Sequence, residues 1–103
     1  MESLQLGDIG TPIILTIYRK DGTIEDHLDS VDNMDIVLKR PSGVVTFHNA
    51  SYVTDGTDGM IQYFTIADDI DELGTWHVQA YLEWIGVWEG YSTVKSFNVL
   101  TNL

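Results

Sequence analysis

The 103-residue sequence contains no cysteine. That excludes a disulfide framework, a thiolate-bound metal and a cysteine nucleophile together. Cations are nearly as scarce, with 5 Lys and Arg against 16 Asp and Glu and a net charge of −11. A surface that negative repels phosphate backbones, so nucleic acid is excluded as a partner. A solvated acidic surface is its simplest meaning, and a basic partner face the alternative. No segment approaches the ~20 consecutive apolar residues that cross a bilayer, so no membrane partner is expected. Met1 to Asp8 carries neither a basic start nor an apolar stretch of signal-peptide length, which predicts a cytosol-made chain without export. On that ground Asn49-Ala50-Ser51, a glycosylation pattern, reads as chance.

Catalytic signatures are missing as well. There is no HExxH, no phosphate-binding loop and no dinucleotide glycine pattern. Gly90-Tyr91-Ser92-Thr93-Val94 lacks the second glycine of a nucleophile elbow. His27, His48 and His77 have no metal-ligand spacing and read as surface histidines. The acidic run from Glu25 to Asp35 has the oxygens that calcium takes, but not the alternating Asp pattern or the glycine of an EF-hand loop. Asp55 and Asp58 sit among glycines and read as turn formers. The expectation is no catalytic residue, no cofactor and no metal.

What the sequence does contain is a series of short runs between regularly spaced turns. The turns are marked by Gly7 and Gly10, Asp21-Gly22, Pro41-Ser42-Gly43, Asp55 to Gly59, Gly74, Gly86 and Gly90. Between them lie runs rich in β-branched and aromatic residues: Ile13 to Tyr18, Met34 to Lys39, Val44 to His48, Tyr52-Val53, Met60 to Ile66, Val87-Trp88 and Val94 to Leu100. Thr75 to Trp84 is the clearest: Trp76, Val78, Ala80, Leu82 and Trp84 alternate with Thr75, His77, Gln79, Tyr81 and Glu83. Period-two alternation buries one face and turns the other outward. Only Asp68 to Leu73 looks helical, for one turn at most. One domain over residues 1–103 is expected, all-β, built as an antiparallel sandwich of about seven to nine strands.

Entering that clearest strand, Glu72, Gly74, Trp76 and Val78 stand at alternate positions. This spacing resembles the corner of immunoglobulin-like domains, where an aromatic bonds its polar tip to upstream backbone. Val78 occupies the place of the usual cysteine, and Trp76 replaces tyrosine. Its indole N–H is then the group expected to make the corner hydrogen bond.

Four stretches resemble small bacteriophage virion proteins, including the immunoglobulin-like N-terminal domain of the baseplate upper protein family. They are Leu6-Gly7-Asp8-Ile9-Gly10-Thr11, Leu38-Lys39-Arg40-Pro41-Ser42-Gly43, Thr54-Asp55-Gly56-Thr57-Asp58-Gly59, and Asp71 through Trp76 to Tyr81. The similarity runs roughly from Leu6 to Val99. It implies a non-enzymatic structural module of a virion: a tail, baseplate or neck adaptor, or a capsid-surface decoration. Its partners would be other phage structural proteins, met in multiple symmetric copies, and its location the virion after synthesis in the bacterial cytoplasm. Baseplate upper proteins continue into further domains, so a stand-alone adaptor or decoration protein is the form expected here.

Tyr81, Trp84, Trp88 and Tyr91 gather around the tight turn at Ile85-Gly86. A two-residue loop would set Trp84 opposite Val87 and Glu83 opposite Trp88. One tryptophan is expected in the core and the other outside, where large aromatics favour protein contacts. These four are the expected partner-binding residues. Stacking on a glycan is the second use they suit, and core packing alone is the plain alternative.

Overall fold

The runs between glycines do become strands. A computed structural model describes residues 3–19, 21–92 and 94–101, apart from the side chains of Ser3 and Trp88. Along these residues lie β1 (Ser3–Gln5), β2 (Pro12–Thr16), β3 (Asn33–Lys39), β4 (Val45–Asn49), β5 (Ser51–Tyr52), β6 (Met60–Phe64), β7 (Gly74–Trp84), β8 (Trp88–Tyr91) and β9 (Lys95–Leu100). The chain is all-β. The helical turn expected near Asp68 is a hydrogen-bonded turn instead, with Asp68 itself at φ 70. The single 3-10 turn among the described residues falls at Leu28–Ser30, inside the acidic run. Leu28 decides this, because it is fully buried and pulls the loop inward.

The strands form two curled sheets. One runs β1-β9-β7-β3-β4, with β8 also paired to β7, and the other β2-β6-β5. Pairing is antiparallel except where β1 lies parallel to β9, Ser3 against Asn98 and Gln5 against Leu100. The sequence reading misses β1, since three residues are too few to display a period.

β7 is the spine of the larger sheet. One edge pairs with β3 from His77–Lys39 to Glu83–Asn33. The other edge is shared: Gly74 to Val78 pair with β9, and Tyr81 to Trp84 pair with β8. Its alternation holds as read, for Trp76, Val78, Ala80 and Leu82 are buried while Thr75 and His77 are exposed. These side chains meet Ile36 and Leu38 of β3, Phe97 and Val99 of β9, and Ile13, Leu15 and Ile61 from the smaller sheet in one cluster. A radius of gyration of 13.9 Å, close to the ~13 Å of a globule this long, fits a single body.

The corner before β7 is where the sheet is fastened to its hairpin. Trp76 is fully buried and stacks on Phe97 at 5.9 Å. Its indole N–H donates to the Glu72 carbonyl at 3.0 Å, in the role expected for it. The Arg40 guanidinium lies 5.2 Å over the ring and donates to Asp71 Oδ1 at 2.8 Å. Ser42 donates both its N–H and its hydroxyl to the Glu72 carboxylate. Gly74, at φ 120, lets the chain pass Pro41, whose Cγ would sit 3.2 Å from an added Cβ. Two of the stretches that carry the virion resemblance, Leu38 to Gly43 and Asp71 to Tyr81, are thus clasped together.

Removing the Trp76 ring leaves a cavity under that clasp. Trp76→Ala is expected to cost about 3–5 kcal/mol. Trp76→Phe, which keeps a ring but loses the donor to Glu72, is expected to cost about 1–2 kcal/mol. Urea unfolding midpoints read both, and equal losses for the two variants would contradict this account of the corner.

Candidate functional site

The β7–β8 hairpin is positioned by its tip. Trp84 pairs with Trp88, so the loop is the three residues Ile85-Gly86-Val87 and not two. The Val87 N–H donates to the Trp84 carbonyl at 2.9 Å, and Gly86 stands at φ 76. That is the left-handed third place of a type II turn, which favours glycine. The extra residue restores pairing between like-facing residues: Trp84 with Trp88, Glu83 with Glu89 and Tyr81 with Tyr91.

This register pairs Tyr81 with Tyr91, and Tyr91 also lines the cleft that Trp84 borders. Tyr81 and Tyr91 share the outer face, with their rings 5.3 Å apart. The Tyr81 hydroxyl donates to Glu89 at 2.8 Å, and that bond pushes its pKa up to about 12. Trp84 lies on the opposite, inward face, half-buried against the core. The Trp88 side chain lies outside the described residues. Trp76 is fully buried in the core.

On the Trp84 side a cleft of about 860 Å³ opens between the hairpin and the segment from Ile17 to Ser30. Ile17 and Leu82 make its buried floor, and Trp84, Tyr18 and Val87 its apolar walls. The volume is in the range that holds small ligands or an inserted side chain. Arg19, Glu25 and His27 form a polar rim. Arg19 pairs with Glu25 at 3.2 Å and also with Asp26, so the rim's charges largely satisfy one another. Glu25, Asp26 and His27 are close enough together to share a cation, but the two carboxylates already hold Arg19. Asp32 supports the hairpin, accepting from the Ile85 N–H at 2.7 Å. Asp55 and Asp58 accept from the N–H groups of Thr57 and Met60, in the turn-forming role read for them.

Sequence reasoning does not place Tyr18 or Arg19 here and reads Glu25 only as part of the acidic run, because they reach Trp84 only through the fold. Ile85 and Val87, two aliphatics flanking a turn glycine, are the signal in the sequence that marks this tip. No protein-family model matches the chain, and no curated protein matches it.

His77 is exposed, as the alternation required, whereas His48 is half-buried on the inner side of β4. Its ring lies 4.5 Å from Tyr63, and its Nε2 is 2.8 Å from the Thr46 hydroxyl. Tyr63 in turn donates to the buried Asp69, and burial with that bond pushes its pKa up to about 12. Burial also holds the His48 pKa below its ordinary 6.5; Asp69 pulls it up, Arg40 pushes it down and Asp35 pulls it up. The unfolded chain therefore binds this proton more readily, so the stability present above 6.5 is lost as the pH falls toward the lower folded value. Unfolding midpoints at about pH 7.5 and about pH 5.5 are expected to differ less in His48→Gln than in the wild type. An unchanged difference would assign the acid sensitivity to other groups.

Proposed function

We propose that this chain is a non-enzymatic, immunoglobulin-like β-sandwich that serves as a structural module of a bacteriophage particle. It docks onto other virion proteins through the β7–β8 hairpin. The strand order supports the fold reading. A β2-β6-β5 sheet faces a β1-β9-β7-β3-β4 sheet, and an aromatic corner with a backbone-bonded N–H opens β7. The virion reading is supported by the resemblance of the clasped Leu38 to Gly43 and Asp71 to Tyr81 stretches.

One observation carries the docking. Ile85 and Val87 are 66% and 83% exposed at the tip of the hairpin. They are not on a loose loop, because the Ile85 N–H is tied to Asp32 at 2.7 Å and the adjoining Trp84 indole to Ser30 at 3.2 Å. Exposed aliphatics on a pre-ordered support bind with little further loss of conformational entropy. The adjoining cleft has room for a partner side chain.

A second reading has its own support: Trp84 and Tyr18 face a cleft rimmed by hydrogen-bonding groups, an arrangement that also suits a sugar ring.

A mass-spectrometric inventory of purified virions is expected to find the chain in stoichiometric amount, and its absence would remove the virion assignment. Ile85→Asp with Val87→Asp is expected to leave the thermal midpoint unchanged and to abolish incorporation into particles assembled in its presence. Full incorporation of that variant would place docking elsewhere. Quenching of tryptophan fluorescence by a glycan panel, lost in Tyr18→Ala, would favour the second reading.

A further inference from the structure

The outer face of the larger sheet is sorted by charge along its strands. Cross-strand register arranges it in rows. The central row is Phe47, Val37 and Gln79, with Val94 beside Gln79. One step toward the corner end stand Val45, Lys39, His77 and Ser96. One step toward the hairpin end stand Asn49, Asp35, Tyr81 and Tyr91. Beyond these, Thr75 and Asn98 close the first end, and Asn33, Glu83 and Glu89 the second. In a chain of net charge −11, the corner half of this face carries no carboxylate in its rows, while the hairpin half carries three.

Val37 at the centre is buried by its neighbours, and the apolar residues around it are open. Phe47 is 55% exposed, Val45 48% and Val94 50%, although each lies on or beside a regular strand. On β4 the usual arrangement is inverted, since polar Thr46 and His48 turn inward while Val45 and Phe47 turn out. Solvent gains nothing from that inversion. A covering surface does.

We propose that this face pairs with the same face of a second copy, about a two-fold axis that lies across the strands along the Phe47–Val37–Gln79 row. Such an axis reverses strand direction and leaves β3 over β3 and β7 over β7. Lys39 of each copy then meets Asp35 of the other, His77 meets Tyr81, and Thr75 and Asn98 meet Glu83 and Glu89. Phe47 and Val37 fall on their own counterparts at the centre. The contact is isologous, so each complementary pair forms twice. Any axis along the strands would instead keep each row over itself, setting the acidic rows on each other and Lys39 against its own carboxylate-free row. Four strands about 4.8 Å apart and five rows about 7 Å apart make roughly 500 Å² per copy, near the lower bound for a specific interface. The pairing uses a surface separate from the hairpin tip, and it stands whether or not the hairpin docks as described.

Sedimentation velocity of the whole chain from about 1 µM to about 1 mM tests this. A reversible monomer–dimer equilibrium is expected. Lys39→Asp alone and Asp35→Lys alone each place like charges together and are expected to weaken self-association at least about tenfold. An equimolar mixture of those two variants restores opposite charges at both sites and is expected to associate as tightly as the wild type. Phe47→Asp is expected to be monomeric throughout, and it decides the matter by itself should Asp35→Lys fail to fold. The hairpin variant Ile85→Asp with Val87→Asp is expected to dimerise normally. A wild type that stays monomeric, a Phe47→Asp variant that dimerises like the wild type, or a mixture no tighter than its two components would each overturn the proposal.

Discussion

Trp76 is held on three sides, and the rest of the architecture follows from that. Its ring fills the space between the sheets against Phe97, its N–H satisfies the Glu72 carbonyl, and Arg40 covers its remaining face. A buried indole donor left without a partner costs about 1–3 kcal/mol, so the chain before β7 must turn where that carbonyl becomes available. The turn delivers Asp71 to Arg40 and Glu72 to Ser42, binding the corner to the β3–β4 connection. With that corner fixed, the register of β7 is fixed, and with it the alternation along its whole length.

The sequence makes β7 legible because alternation runs along its length with apolar residues at every inward position, Trp76, Val78, Ala80, Leu82 and Trp84. The same logic reads β3, β6 and β9, and it anticipates the indole as the corner donor. It fails where the determining contact is distant. β1 is recognisable only beside β9, and Leu28 draws the acidic run into a 3-10 turn only because a pocket of the core receives it. On β4 alternation is present but does not say which face is inward. Packing against Tyr63 and the bond to Thr46 draw His48 inside and leave Phe47 out.

The candidate site was half visible. Aromatics around Gly86 mark the hairpin; the alternation of β7 already sets Trp84 and Tyr81 on opposite faces, and the one extra residue in the loop pairs Tyr91 with Tyr81. A single expected patch thereby becomes two surfaces with different chemistry. One is a cleft with an aliphatic tip beside it, suited to insertion. The other is a broad pleated face whose charges run from basic to acidic, suited to meeting a flat counterpart.

The way β7 is paired also has a mechanical consequence. Of its eleven residues, His77 to Glu83 pair along one edge with β3, and along the other Tyr81 to Trp84 pair with β8 and Gly74 to Val78 with β9. A load applied at the hairpin tip, directed along the strand, strains these ladders in shear, so many hydrogen bonds share the force instead of parting one after another. The corner clasp anchors the far end of the same strand. The molecule is thereby stiffest along the line that joins its exposed tip to its most deeply fastened residue.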